Sequence, residues 1–125
     1  VVRGGSQSGN IAAMELVQHG MCDALVSDYY YPALAQAAFK LVDDGILALA
    51  DAWKLISYNP AQILRLPDRG VIDYGKRADL TIINAETRAV EATICAGRIT
   101  HLSGDAANRF IQGQMHIGDM PLAAE

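Results

Sequence analysis

The sequence has little of several features that would each announce a class of function. Ten Lys and Arg against fourteen Asp and Glu leave a formal net charge of only −4 over 125 residues. With no basic field to attract a phosphate backbone, nucleic acid is not expected as a partner. No apolar run is long enough to span a membrane: the most apolar stretch, 46–56, is interrupted by Asp51 and Lys54. The two cysteines, Cys22 and Cys95, are far apart and lack C-x-x-C spacing. They read as buried, reduced thiols of a cytoplasmic protein. The three histidines, His19, His101 and His116, form neither H-x-H nor H-E-x-x-H and are too scattered for a metal centre. His19 instead suits the C-terminal end of a helix, where it complements the dipole. No internal repeat and no signal-peptide pattern are visible, and there is no initiator Met. The opening Val1-Val2-Arg3-Gly4-Gly5 reads as the inside of a strand, which predicts that part of a larger protein precedes it.

What remains is 51% apolar, too much for a disordered chain and enough for the core of one domain. After a loop over 4–10, Asn10 is a candidate N-cap for a helix reaching His19, with Gly20 as its left-handed stop. The unalternating run Ala24–Ser27 predicts a strand covered on both faces, ending at Asp28. Pro32 predicts the start of a helix to Asp43, with Leu34, Ala37, Ala38 and Leu41 on one face. Ile46, Leu49, Trp53 and Ile56 form a second apolar stripe at helical spacing. Asn59-Pro60 suggests N-cap and first residue of a short helix to Leu64.

Beyond Leu66 the period changes to two. Strands are expected over 78–84 and 90–96, joined by a turn at 85–88, with a further strand over 99–102 after Gly97-Arg98. The tail offers one short helix, 105–111. The order therefore reads as two βα units followed by a small antiparallel sheet. Two βα units cannot close a barrel, and their exposed apolar surface predicts self-association or domain swapping.

Two motifs are decoys. Gly70 to Lys76 fits G-x-x-x-x-G-K, but Arg77 follows where a Ser or Thr should be, and a strand follows where a helix should be. A turn between strands is the better account. Ser6, Asp28 and His101 stand in triad order, but Ser6 is not in a G-x-S-x-G elbow. Two features survive. Asp28 closes an apolar strand, where barrel enzymes place catalytic groups, although a turn or capping Asp reads equally well. Arg3-Gly4-Gly5-Ser6 leads toward a helix start, where backbone N–H groups can meet an anion; an ordinary Gly/Ser loop is the alternative.

The run Ser57-Tyr58-Asn59-Pro60-Ala61, followed by Gly70-Val71-Ile72-Asp73-Tyr74-Gly75-Lys76-Arg77-Ala78-Asp79-Leu80, resembles the C-terminal signature of the amidohydrolase superfamily. There an Asn-Pro-Ala helix start precedes a G-x-I-x-x-G-K-x-A-D-L stretch entering a small β-sandwich. Residues 1–10 and Ser27-Asp28-Tyr29-Tyr30-Tyr31-Pro32 resemble its phosphonate-metabolism branch, so the likeness runs over about residues 1–102.

The resemblance implies an α/β fold: the C-terminal fragment of a metal-dependent β/α (TIM-like) barrel, followed by part of a small antiparallel β-sandwich. Residues 1–66 would supply the last two βα units and C-terminal helices, 67–102 the sandwich strands, and 103–125 a tail. Val1-Val2 would belong to strand seven and Ala24–Ser27 to strand eight. Asp28 would be the catalytic Asp closing strand eight, a metal ligand that accepts a proton from metal-bound water. Arg3, Gly4, Gly5 and Ser6 would bind substrate phosphate.

The implied cofactor is a divalent metal, zinc or manganese. The family's H-x-H, its bridging Lys or Glu and its remaining histidines have no counterpart in this sequence. Gln7 also stands where the branch commonly carries His. The 125-residue chain by itself is therefore expected to bind no metal and to be inactive. The implied substrate is a small phosphorylated or phosphonate compound, a ribose-phosphonate triphosphate losing pyrophosphate. The alternatives are a cyclic-amide hydrolase or deaminase of the same superfamily, or a non-catalytic scaffold that interacts with other proteins.

Overall fold

The structure, a computed structural model, describes residues 13–27 and 30–118. The chain divides into two compact units, Val1–Lys76 and Arg77–Glu125. The strand expected at Val1-Val2 and the cap expected at Asn10 lie outside the described residues.

The described part of the first unit is helical: α1 (Ala13–Gln18), α2 (Ala33–Asp43), α3 (Leu49–Lys54) and α4 (Tyr58–Ile63). Its core joins Val17, Leu25, Ala37, Ala38, Leu41, Ala52 and Leu55, with Leu41 and Ala52 wholly removed from solvent. Leu34, Ile46, Trp53 and Ile56 pack around it, and the Phe39 and Trp53 rings meet edge to face at 5.6 Å. The apolar face predicted for α2 is thus the buried one.

Three helices end in the same hydrogen-bonded stop. After α1, the Gly20 N–H donates to Val17 O and the Met21 N–H to Leu16 O. After α2, Gly45 donates to Val42 O and Ile46 to Leu41 O; after α4, Arg65 donates to Gln62 O and Leu66 to Ala61 O. This pairing places the stop residue in the left-handed region. Gly20 and Gly45 adopt it freely at φ +67° and +69°, whereas Arg65 is held there at +55°.

Three expectations for this unit are corrected. Ala24–Ser27 forms no strand and belongs to no sheet: the Leu25 N–H donates to Leu55 O, Leu25 is buried, and Val26 is 87% exposed. A parallel strand exists only beside neighbours, and among the described residues this unit offers helices alone, so one face of the segment stays bare. The stripe from Ile46 to Ile56 is not one helix. The stop at Gly45 and the extended Ala48 delay the helical start to Leu49, which is itself 52% exposed, and Ala52 and Leu55 face the core instead. Finally, α4 begins at Tyr58, with Ser57 rather than Asn59 at its N-cap position. Pro60 still falls in the first turn, where no intrahelical N–H is needed.

The second unit is a three-stranded antiparallel sheet of order β1-β2-β3, namely β1 (Leu80–Ile83), β2 (Val90–Cys95) and β3 (Arg98–Leu102), followed by α5 (Gly104–Gly118). The first hairpin turns on Asn84, whose Oδ1 accepts the N–H groups of Glu86 and Thr87. The second turns through Ala96 and Gly97 at φ +49° and +79°, the pair of positive angles of a tight primed turn. Ala78 and Asp79 belong to the expected first strand but precede β1: the Ala78 carbonyl accepts the Gly97 N–H at 2.9 Å, and at Asp79 it is the side chain whose Oδ1 accepts the Ala96 N–H at 2.8 Å. The tail helix is fifteen residues long, more than twice the seven expected. Among the described residues no helix is long and apolar enough to cross a membrane.

Candidate functional site

Asp28 and the Arg3-Gly4-Gly5-Ser6 loop lie outside the described residues. The structure does place the segment that leads to Asp28 and the signature residues that face it. Asp23–Ser27 leaves the α1 stop and is caught at two points. The Asn59 Nδ2 donates to Asp23 O at 2.7 Å, and the Leu25 N–H donates to Leu55 O at 2.8 Å. Beside them the Cys22 thiol points at Ala24 O, 3.5 Å away, and burial pushes that thiol above its ordinary pKa.

The rest of the signature knits α4 to the loop that follows it. The Ser57 hydroxyl, at the cap position, donates to Gly70 O at 3.0 Å instead of capping α4. Gly70 has φ +88°, and a Cβ there would stand 2.7 Å from the Ala61 Cβ and 3.1 Å from Ser57 O. Gly70 and Ala61 are therefore both small because the loop lies directly on the first turn of α4. Lys76, the lysine of the P-loop-like run, donates from Nζ to Pro67 O at 2.7 Å, and its N–H closes a turn on Asp73 O. The run is a turn, as expected, but it joins α4 to β1 rather than two strands.

In the second unit the ionisable side chain given most structure is Glu91, 9% exposed. Its carboxylate accepts from Asn84 Nδ2 at 2.9 Å and from the Ala106 N–H in the first turn of α5 at 3.1 Å. The Asn84 amide holds its carboxyl below the ordinary carboxylate range, reinforced by N–H groups of Ala106 and Asp105 and by the Arg109 charge. Gly104 lies under this carboxylate, since a Cβ there would be 2.8 Å from Glu91 Oε1. Glu91 thus joins the first hairpin, β2 and α5. Its role is architectural.

Among the described residues no group of three or more His, Cys, Asp and Glu side chains could hold a metal ion. His19 Nδ1 lies 2.7 Å from Glu15 O at the end of α1, as its helix-terminal position predicts. His101 Nε2 is 3.1 Å from Ser103 Oγ on the exposed strand β3. The expectation of two buried thiols holds only in part. Cys22 is half-buried, but Cys95 is exposed beside the Ala96–Gly97 turn, with Arg77 Nη2 at 3.1 Å from its sulfur.

Sequence reasoning missed three of these roles. Asn59 is taken for a cap, although Ser57, two residues earlier, is an equally good capping residue. Glu91 carried a signal: one acidic residue inside an apolar strand invites the question of what satisfies it. The link from Ser57 to Gly70 spans thirteen residues and has no local signature.

Comparison with known proteins gives these signature residues a context. The amidohydrolase family model matches residues 5–100. The chain is 56% identical to alpha-D-ribose 1-methylphosphonate 5-triphosphate diphosphatase of Escherichia coli (strain K12), over 66% of this chain and 22% of that protein. It is 31% identical to the dihydroorotase of Syntrophus aciditrophicus (strain SB), over 58% of this chain and 22% of the relative. With the dihydroorotase of Endomicrobium trichonymphae identity is 44%, over 36% and 11%. The chain thus spans about a fifth or less of the length of the curated relatives it matches. No solved structure matches it. The matched stretch takes in Ser57, Asn59, Ala61, Gly70 and the first two strands of the sheet, and on that ground the chain belongs to the amidohydrolase family.

Proposed function

We propose that this chain is the C-terminal part of a hydrolase that releases pyrophosphate from a ribose-phosphonate triphosphate in phosphonate catabolism. The observation that carries the reading is the 56% identity to the diphosphatase, against 31% and 44% to the two dihydroorotases, the latter over little more than a third of the chain. In this reading residues 1–66 carry the last two βα units of a barrel and the helices after them, and 67–102 carry sandwich strands. Asp28 is the catalytic carboxylate that the chain contributes to a divalent metal centre, zinc or manganese. Arg3, Gly4, Gly5 and Ser6 bind the substrate phosphates.

The described residues do not by themselves fit a metal. The remaining ligands of such a centre would come from outside this chain, and the isolated 125 residues would be inactive. Exposed Val26, Tyr31 and Ile72, each more than 85% accessible, support the companion proposal that the isolated chain self-associates or swaps elements.

The test is an assay of the full-length protein containing this chain for pyrophosphate release from a ribose-phosphonate triphosphate, beside an assay for dihydroorotate ring hydrolysis. Pyrophosphate release that is lost in Asp28→Asn is the expected result. Ring hydrolysis without pyrophosphate release would establish the second reading, which the two dihydroorotase relatives favour. Sedimentation of the isolated chain as a monomer would overturn the self-association.

A further inference from the structure

The Asp23–Ser27 segment makes a demand that its own residues do not meet. It has no regular secondary structure and no strand partner among the described residues, and Val26 is almost fully exposed. A segment of that kind ordinarily samples many conformations. Here it is held from two sides. Upstream, the Gly20 stop fixes its departure from α1. Downstream in the sequence, two groups from the α3–α4 region reach back to it: Leu55 O takes the Leu25 N–H at 2.8 Å, and Asn59 Nδ2 donates to Asp23 O at 2.7 Å. The second bond joins residues thirty-six positions apart.

Asn59 is free to do this because Ser57 already occupies the cap position of α4 and Pro60 fixes the backbone next to Asn59. The amide lies at the second helical residue, so its side chain projects from the first turn. An aspartate there would have the same shape but no N–H, and would set a carboxylate against a carbonyl oxygen.

We propose that Asn59 is a positioning residue: together with the Leu55–Leu25 bond, its amide fixes the course of Asp23–Ser27 and so sets where the next residue in the chain is delivered. The inference rests on the reading under Proposed function, in which that next residue is the catalytic carboxylate. It adds to that reading a task for the Asn-Pro part of the signature, namely holding the segment that precedes the site rather than starting a helix.

The experiment compares wild type, Asn59→Asp, Asn59→Gln and Asp28→Asn in the full-length protein containing this chain, by amide hydrogen exchange and by steady-state kinetics of pyrophosphate release. In Asn59→Asp, the Leu25 amide, whose N–H is held by Leu55 O, should lose about tenfold or more of its protection as the segment opens locally, while α2 amides stay protected. The kcat should fall by about tenfold or more with KM little changed, because the fault is one of placement and not of substrate binding. Asn59→Gln keeps the donor and should recover part of both losses; it also carries the test if Asn59→Asp does not fold.

Unchanged exchange at the Leu25 amide in Asn59→Asp would overturn the tether. Lost protection with unchanged kcat, in a protein that Asp28→Asn inactivates, would overturn the positioning role and leave the reading of Asp28 standing. Full activity of Asp28→Asn would overturn that reading, and this proposal with it.

Discussion

The two units of the chain answer the same question, how a short polypeptide holds its non-repetitive segments, in different ways. Arg77–Glu125 does it mostly locally: β1, β2 and β3 follow one another and pair in order, and β2 meets α5 through Glu91. Val1–Lys76 is local within its four described helices, but ties the segments between them to distant residues. Its Asp23–Ser27 segment leans on Asn59 and Leu55, and its post-helical loop leans on Ala61 and Ser57. Hairpins close short loops and can satisfy themselves, whereas a parallel-type strand needs partners far away in sequence. The lesson is that the helical unit should be more sensitive to single side chains at long-range contacts, and the sheet unit to its turns.

The largest effect is expected where that comparison is most extreme, in the helical core. Leu41→Ala removes a side chain with no exposure and should cost about 3 kcal/mol. Chemical denaturation followed by the single tryptophan, Trp53, which borders that core, would measure it. A loss no larger than that of an exposed substitution would show that this core does not hold the unit together.

Gly70→Ala comes next, at about 2 kcal/mol, because it combines a left-handed backbone with a Cβ forced against Ala61. Gly45→Ala is its control: φ is also positive at +69°, but nothing lies within 4 Å of the added carbon, so about 1 kcal/mol is expected. Equal costs for the two would mean that the loop does not press on α4.

In the sheet unit, Ala96→Asn should stabilise by about 0.5 kcal/mol, since it puts Asn-Gly into a turn that requires positive φ at both positions. Thermal unfolding followed by far-ultraviolet circular dichroism would register the gain. A loss would mean that the Ala96 backbone is not held in the left-handed region.

The smallest effect at neutral pH, and one that grows in acid, concerns Glu91. Its folded pKa lies below the ordinary value, so its contribution is fully present above the unfolded carboxylate pKa, about 4.3, and is lost as pH falls through the folded one. Glu91→Gln should therefore flatten the decline in stability below about pH 4.3. An acid profile that the substitution leaves unchanged would remove Glu91 from the account of how α5 is held.

Much of this architecture is legible in the sequence where a pattern is local. The apolar face of α2, the glycine stop at Gly20 and the two hairpins follow from spacing and turn chemistry. The turn expected at 85–88 is where the first hairpin reverses, but Asn84, expected as the last strand residue, is the side chain that organises it. Ala24–Ser27 shows the limit. An unbroken apolar run says that a segment favours burial on two faces, but whether neighbours exist to cover it is a property of the whole assembly. Asn59 shows another: Asn before Pro has a strong local meaning as a cap, and a bond to a carbonyl thirty-six residues away displaces it.

The amino-acid sequence alone determined the helix and strand propensities, the turn positions and the family signature, because each depends on residues within a few positions of one another. Tertiary structure alone decided that Ser57 bonds Gly70 and Asn59 bonds Asp23 at the start of α4, that Gly70 must be glycine against Ala61, and that Glu91 caps α5. Those outcomes depend on which distant backbone groups arrive within about 3 Å of a side chain, and hydrogen bonds and steric contacts act only at that range.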